Sequence, residues 1–170
     1  MAHVQIKVAA TTQTLLVVDD RPENLAAMEA LLDDGDWRLR CVDSGEAALQ
    51  CLLEEDVGLV LLDVQMPHMD GFEVARLMRG NPRTRYTPII FVSAIAQTQD
   101  AVLRGYNSGA VDFVLKPFDP AVLRHKIHSL LEHERNRFAE VPVTPQEFED
   151  YCKKRGVPSD IITFKAFICR

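Results

Sequence analysis

Reactive side chains follow four short apolar segments of this 170-residue chain. The acidic pair Asp19-Asp20 follows the first segment, and Asp63, Ser93 and Lys116 each follow a later one. Carboxylates that lie close together repel each other unless a cation or protons intervene. Oxygen ligands without a nearby His or Cys favour Mg²⁺, which keeps water in its coordination shell and shares that shell with phosphate oxygens. The residue types therefore indicate a magnesium site that binds phosphate.

A carboxylate, an ammonium group and a hydroxyl at one site suit phosphoryl transfer. An aspartate carboxylate can attack phosphorus directly and become an aspartyl phosphate. The Lys116 ammonium group would then neutralise one phosphoryl oxygen, and the Ser93 hydroxyl would donate a hydrogen bond to another. The sequence thus predicts transfer of a phosphoryl group onto an aspartate.

The apolar segments themselves predict a parallel β-sheet. Short runs rich in Val, Ile and Leu are typical of strands that are buried on both faces. They occur at residues 15–18, 39–42, 57–62, 89–92 and 111–115. The second run alternates charged with apolar residues, which favours a strand at the sheet edge. Because ligand groups gather outside the carboxyl ends of parallel strands, we expect the reactive side chains in one crevice.

Amphipathic segments between the strands predict helices, because their apolar residues have helical spacing. The first three stripes are Leu25, Met28, Leu31 and Leu32; Ala48, Cys51 and Leu52; and Phe72, Ala75 and Met78. Asp43 with Glu46 predicts a capping box at the second helix, and Gly105 predicts the end of a weak fourth helix. Asp119-Pro120 predicts the start of a fifth helix. The alternation of strands and helices predicts a doubly wound α/β domain.

Composition restricts the class of function. The chain carries 19 Lys and Arg against 25 Asp and Glu, a net charge of −6, so it lacks the basic surface of a general nucleic-acid binder. No apolar run approaches the roughly 20 residues of a membrane span, and the first residues lack the pattern of a signal peptide. The four cysteines are far apart in the sequence and fit a reducing compartment. We therefore expect a cytoplasmic globular protein.

Four segments resemble, in order and spacing, the signature segments of the bacterial response-regulator receiver domain, a two-component signalling module of the CheY-like superfamily. The segments are LLVVDD, LVLLDVQMPHMDGFE, FVSA and DFVLKPF, and the resemblance covers residues 14–134. It implies a flavodoxin-like sheet of five parallel strands in the order 2-1-3-4-5. It also implies a phosphorylation-controlled switch, a regulator rather than an enzyme, that takes its phosphoryl group from a sensor histidine kinase or a phosphotransfer protein.

The resemblance implies a role for each acidic residue. Asp63 is the phosphoacceptor and, with Asp20, a direct Mg²⁺ ligand. Asp19 assists the ion, largely through water, and the backbone carbonyl of Gln65 completes the protein ligands. Gly71, which ends the loop after Asp63, is expected to be needed for its backbone freedom.

The same resemblance implies roles for residues at the later strands. Lys116 pairs with the phosphoryl group, and Ser93 provides a hydroxyl that contacts it. Ser93 and Phe113 form the conformational switch. The Lys116-Pro117 peptide bond is expected to be cis.

Residues outside the resemblance are predicted to be accessory. Residues 1–13 are expected to form a flexible N-terminus, and residues 135–170 a linker with a short helical interaction tail, or the start of a further domain. The phosphorylated state is expected to act through the face formed by the fourth helix, the fifth strand and the fifth helix. That face would contact a downstream effector or a second copy of the chain, and neither nucleic acid nor a membrane is an expected partner.

Three other functions fit part of the sequence. A phosphatase with an aspartate nucleophile would carry D-x-D after one strand, whereas here Asp19-Asp20-Arg21 follows the first strand and Asp63 the third. A receiver-like interaction module that never accepts phosphate typically lacks one of the five reactive groups, all of which occur in this chain. A flavin or nucleotide binder of the same fold would need a Gly-rich or Ser/Thr-rich loop after the first strand.

Overall fold

Five parallel strands form one sheet in the order β2-β1-β3-β4-β5 in the computed structural model, which describes residues 12–94, 103, 105, 107–139 and 145–156. The strands are β1 (Gln13–Val18), β2 (Trp37–Val42), β3 (Val57–Leu62), β4 (Ile89–Ser93) and β5 (Asp112–Leu115). Neighbouring strands are parallel throughout the sheet. The predicted flavodoxin-like sheet and the edge position of the second strand are confirmed.

Helices connect most of the strands. They are α1 (Pro22–Leu32), α2 (Gly45–Glu54), α3 (Gly71–Gly80), α4 (Pro120–Ala139) and α5 (Pro145–Arg155). The helix labelled α4 is the fifth helix of the sequence prediction, because the predicted fourth helix lies mostly outside the described residues. Thr12–Leu131 form one compact unit, and the described residues after Leu131 belong to a second one. Within the described ranges, no helix has the length and apolar character needed to cross a membrane.

Consecutive strand residues alternate between two apolar cores, one on each face of the sheet. Leu16 and Val18 of β1 pack on one face with residues of α2 and α3. Leu15 and Val17 pack on the other face with residues of α1 and α4. The two-residue period of a strand sends successive side chains to opposite faces, and a helix stripe covers each face. Polar side chains can therefore collect only at the ends of the strands.

The predicted start of α4 is confirmed, whereas the predicted cap of α2 is wrong. Asp119 directly precedes α4, and its Oδ1 accepts a hydrogen bond at 2.8 Å from the backbone N–H of Ala121 in the first turn of the helix. The N-cap of α2 is Ser44 rather than Asp43, and its Oγ accepts a hydrogen bond from the Ala47 backbone N–H at 3.2 Å. An N-cap must directly precede the first helical residue, which here is the residue after Ser44.

The predicted end of the fourth helix at Gly105 is also wrong. Gly105 is itself helical, and so is Asn107. The chain turns at Gly109, whose φ of 91° lies in the left-handed region. Glycine adopts this conformation without steric cost, so Gly109 is the residue that ends the helical segment.

The Arg79 side chain ties together two loops at the amino ends of the strands. Its guanidinium donates to the backbone carbonyl of Gly109 at 2.6 Å and to that of Thr87 at 2.8 Å. A Cβ on Gly109 would lie 2.5 Å from Arg79 Nε, so the contact requires glycine, which has no side chain, at this position. These loops lead into β4 and β5, and Arg79 therefore fixes the starts of two strands whose far ends carry Ser93 and Lys116.

Replacing Arg79 with methionine is expected to lower the free energy of unfolding by about 2–4 kcal/mol, because several backbone carbonyls lose a charged donor. Urea denaturation measures the change. Arg76→Met is the matched control, since Arg76 lies on the same helix, has a side chain that is 70% exposed and pairs with Glu73 at 3.6 Å. This control should change stability by no more than about 0.5 kcal/mol. Equal losses in the two variants would contradict the bracing role of Arg79.

Candidate functional site

Backbone hydrogen bonds of the sheet continue past the strands and place the reactive residues. The Asp63 N–H donates to the last carbonyl of β1 at 2.9 Å, and the Asp19 N–H donates to the last carbonyl of β2 at 3.2 Å. The Lys116 N–H donates to the carbonyl of Ser93, the last residue of β4, at 3.1 Å. Asp19, Asp63 and Lys116 are therefore each held by a neighbouring strand, at the carboxyl ends of the parallel strands.

Asp19, Asp20 and Asp63 form one carboxylate cluster. Their ligand oxygens lie within 4.8 Å of one another, and this is the group found among the described residues that could hold a metal ion. Asp19 is 4% exposed and Asp63 7% exposed, whereas Asp20 is less buried. A set of oxygen ligands alone suits a hard cation such as Mg²⁺. The structure thus brings together the carboxylates that the sequence placed at separate strand ends.

The Lys116 ammonium group lies beside two of these carboxylates. Its Nζ is 2.8 Å from Asp19 Oδ2 and 3.9 Å from Asp63 Oδ1. Only the contact with Asp19 is short enough for a hydrogen bond, so Lys116 is held mainly by Asp19. The Lys116-Pro117 peptide bond is cis, as the resemblance implied. One ammonium group does not balance three carboxylates, and the remaining negative charge attracts a cation.

Burial raises the pKa of Asp63 from 3.8 to about 6. Loss of water around the carboxylate is the largest cause, because it disfavours the charged form. Lys116 acts in the opposite direction and lowers the pKa, while the Asp19 and Asp20 carboxylates raise it further. A cation bound at the cluster would therefore favour the ionised form of the phosphoacceptor candidate.

Gly71 is required by the close approach of the Asp63 backbone. A Cβ at Gly71 would lie 2.2 Å from the Asp63 carbonyl oxygen and 3.0 Å from Val64 Cα. The Gly71 N–H donates to the Val64 carbonyl at 2.9 Å, which holds α3 against the end of β3. The expectation that Gly71 supplies backbone freedom is wrong, since its φ is outside the left-handed region; the positive φ in this loop, 67°, belongs to His68.

Asn24 is a residue of the site that the sequence analysis did not assign. Its Nδ2 donates to both carboxylate oxygens of Asp19 at 3.0 Å each. The Arg21 backbone N–H donates to Asp19 Oδ1 at 3.0 Å as well. The position of Asn24 in the sequence could have indicated this role, because Asn24 lies in the first turn of the helix that follows the acidic pair.

Of the other predicted site residues, Ser93 and Gln65 lie at or after strand ends, whereas Phe113 lies within β5. Ser93 is fully buried at the end of β4, and Gln65 is exposed in the loop after β3. The Phe113 ring is half-buried, with its centroid 5.8 Å from that of Phe91 on the adjacent strand. A Cβ on Gly105 would lie 3.2 Å from Phe113 Cδ2, so a side chain at position 105 would crowd the Phe113 ring, and glycine avoids this contact.

Comparison with known proteins points to one family. A family model for the response regulator receiver domain matches residues 15–128. The chain is 38% identical over 124 residues to a "Probable cyclic di-GMP phosphodiesterase" of Vibrio cholerae, which covers 73% of this chain and 28% of that protein. It is 36% identical over 116 residues to the response regulator PleD of Caulobacter vibrioides, which covers 68% of this chain and 25% of PleD. The chain thus spans about a quarter of the length of these two relatives.

One solved structure shares the fold, and the match covers nearly all of that structure's chain. The receiver domain of a sensor histidine kinase from Pseudomonas aeruginosa has a TM-score of 0.66 and 28% sequence identity to this protein. The match covers 72% of this chain and 99% of that receiver domain, which carries a magnesium ion coordinated in its active site cleft.

Gly71→Ala is expected to lower the free energy of unfolding by about 1–3 kcal/mol, because the new methyl group forces the Asp63 backbone to move. Urea denaturation checks the stability, and a Mg²⁺ titration should show weaker binding because Asp63 is displaced. Gly80→Ala is the matched control on the same helix, where a Cβ would meet nothing within 4 Å. The account fails if Gly71→Ala and Gly80→Ala are equally stable and bind the ion equally.

The raised pKa of Asp63 predicts a pH-dependent stability of the metal-free protein. The native state holds the proton up to about pH 6, whereas the ordinary value for an aspartate is 3.8. Between those values the native state binds more protons than the unfolded state, so ionisation of Asp63 lowers stability as the pH rises, by roughly 3 kcal/mol.

Asp63→Asn removes this titration. The variant should be more stable than the wild type above about pH 6, and the two should converge below about pH 4. Denaturation in EDTA across this pH range measures the difference. A difference that does not vary with pH would show that the Asp63 pKa is not raised.

Proposed function

Since the chain belongs to the response regulator receiver domain family, we propose that Asp63 accepts a phosphoryl group from a sensor histidine kinase or a phosphotransfer protein in a Mg²⁺-dependent reaction. The observation that carries the proposal is the surroundings of the buried Asp63 carboxylate. It lies in a cluster with Asp19 and Asp20 and 3.9 Å from the Lys116 ammonium group. Each of these groups has a task in phosphoryl transfer.

The proposed nucleophile is an oxygen of the ionised Asp63 carboxylate. It attacks the phosphorus of a phosphohistidine, and the new O–P bond forms as the P–N bond breaks. The electron pair of the broken bond leaves with the imidazole. A pKa of about 6 in the metal-free protein leaves Asp63 mostly ionised near neutral pH, and a bound cation would favour the ionised form further.

Asp20, Asp63 and the backbone carbonyl of Gln65 would hold Mg²⁺ directly, and Asp19 would act largely through water. When bound, the ion would offset the negative charge of the carboxylates and of the phosphoryl oxygens. Both oxygens of Asp19 already accept hydrogen bonds from the protein, whereas Asp20 is more open to solvent. This difference supports the division of tasks, and the magnesium ion of the Pseudomonas receiver domain supports the choice of metal.

Phosphorylation would change the partners of Lys116 and Ser93. The phosphoryl group carries up to about two negative charges, so Lys116 would leave Asp19 for a phosphoryl oxygen and the Ser93 hydroxyl would donate to another. Phe113 would then turn further inward from its half-buried position. The ligand binds one of two conformations better and shifts the population towards it. The protein acts as a regulator that assists its own phosphorylation and dephosphorylation.

Exposed apolar side chains support a protein contact on the face that would report phosphorylation. Leu103, Val111, Leu115 and Val122 are 57%, 49%, 45% and 48% exposed, respectively. Leu103 lies in the predicted fourth helix, Val111 just before β5, Leu115 on β5 and Val122 in α4. This placement fits a face that contacts a downstream effector or a second copy of the chain. Residues 135–170 would be a linker and interaction tail or the start of a further domain. A histidine kinase donor would place the protein in the cytoplasm.

Acetyl phosphate with Mg²⁺ is expected to add the mass of one phosphoryl group to the wild-type protein, and EDTA should prevent it. Asp63→Asn should abolish the gain because the nucleophile is gone. Asp43→Asn is the matched control: Asp43 directly follows β2, as Asp63 follows β3, but it is exposed. Intact-mass spectrometry gives the result for all three proteins.

Equal incorporation in the wild type and in Asp63→Asn would refute Asp63 as the phosphoacceptor. A wild-type protein that stays unmodified with every phosphodonor would instead identify an interaction module that does not accept phosphate.

A further inference from the structure

The Asp19 carboxylate is surrounded by hydrogen-bond donors of the protein. Its Oδ1 accepts from the Arg21 backbone N–H and from Asn24 Nδ2, each at 3.0 Å. Its Oδ2 accepts from Asn24 Nδ2 at 3.0 Å and from Lys116 Nζ at 2.8 Å. Because Asp19 is only 4% exposed, these donors rather than bulk water determine where its oxygens lie.

A phosphoryl group on Asp63 would compete with Asp19 for the Lys116 ammonium group. The ammonium group is in contact with Asp19 and still 3.9 Å from the nearer Asp63 oxygen. Because a phosphoryl group carries up to about two negative charges, we expect it to draw Lys116 towards itself and to weaken or break the hydrogen bond to Asp19. A buried carboxylate that loses a charged donor moves unless other donors hold it. The donors that remain are the Asn24 amide and the Arg21 N–H.

The Asn24 amide has the charge and the placement for this task. It donates two hydrogen bonds without a positive charge, so it does not oppose a cation at the cluster as a second lysine would. It is fixed to the first turn of α1, where the Leu25 N–H donates to the Arg21 carbonyl at 3.1 Å. The N-terminus of α1 has no side-chain cap, and the Asn24 side chain contacts Asp19 instead of capping the helix.

We propose that Asn24 is a positioning residue that keeps the Asp19 carboxylate in place when Lys116 moves to the phosphoryl group. The proposal rests on the proposed function, because that function gives Lys116 its second partner. Asn24 acts through Asp19 and contacts neither the phosphoryl group nor the metal directly.

A double-mutant cycle between Asn24 and Lys116 tests the proposal. Mg²⁺ affinity is measured by calorimetry for the wild type, Asn24→Ala, Lys116→Met and the double variant. Asn24→Ala should weaken Mg²⁺ binding about threefold while Lys116 still holds Asp19, and at least about tenfold in the Lys116→Met background, where Asn24 is the remaining side-chain donor. Equal factors in the two backgrounds, or no effect in either, would overturn the proposal.

Gln50→Ala is the matched control, because it removes another hydrogen bond between a side-chain amide and a carboxylate. Gln50 Nε2 donates to Glu54 Oε1 at 2.9 Å on the exposed surface of α2. Its loss should leave Mg²⁺ affinity unchanged in both backgrounds. An equal effect of Gln50→Ala would show that the change at Asn24 is not specific to Asp19.

The same cycle is repeated by urea denaturation in EDTA, which needs no metal. The double variant should lose more stability than the sum of the two single variants, because Asp19 is then left with the Arg21 N–H alone. Failure of only the double variant to fold is the extreme form of this coupling, whereas additive losses would contradict it. If the coupling is present but Asp63 accepts no phosphoryl group, the proposed function fails and Asn24 still positions Asp19. If Asp63 is phosphorylated but the coupling is absent, the proposed function stands and the role of Asn24 is refuted.

Discussion

Repulsion among three carboxylates at one edge of the sheet is the constraint on which the site depends. Carboxylates this close cannot all remain ionised in a buried place without compensation. The protein supplies one ammonium group, from Lys116. Burial, with smaller contributions from the Asp19 and Asp20 charges, raises the pKa of Asp63, so that this carboxyl keeps its proton to a higher pH than an ordinary aspartate. A divalent cation would remove the remaining imbalance, and a phosphoryl group on Asp63 would restore it. The same excess of negative charge would therefore account both for cation binding and for the change of partner proposed for Lys116.

The rest of the domain holds these repelling groups in place. Both faces of the sheet are covered by closely packed apolar side chains, which hold the strands in place. Backbone hydrogen bonds then extend the sheet to Asp19, Asp63 and Lys116. Gly71 lets α3 begin against the Asp63 backbone, and Arg79 fixes the opposite ends of β4 and β5. The geometry of the cluster is thus set mainly by the main chain, and the side chains add the charges.

The parallel sheet and the convergence of the reactive residues could be predicted because both follow from local patterns, whereas the order of the strands was implied by the resemblance to the receiver domain. An apolar run identifies each strand, and parallel topology brings the residues after Val18 and Leu62 to one edge. Contacts that depend on how elements approach in space could not be read in this way. Nothing local to Gly71 shows that another backbone passes where its Cβ would lie. The hydrogen bonds from Asn24 to Asp19 likewise require the direction in which α1 leaves the sheet, and sequence spacing alone does not fix that direction.

Beryllofluoride mimics the phosphoryl group, so a crystal structure of the protein with Mg²⁺ and beryllofluoride would show whether Asp63 accepts the group and whether Lys116 then changes partner. The account predicts beryllium bound to an Asp63 oxygen and Lys116 Nζ within about 3 Å of a fluorine. Lys116 would then have left Asp19, whose carboxylate would still accept hydrogen bonds from Asn24. Beryllofluoride bound at another residue, or Lys116 still paired with Asp19 in the loaded protein, would contradict the account.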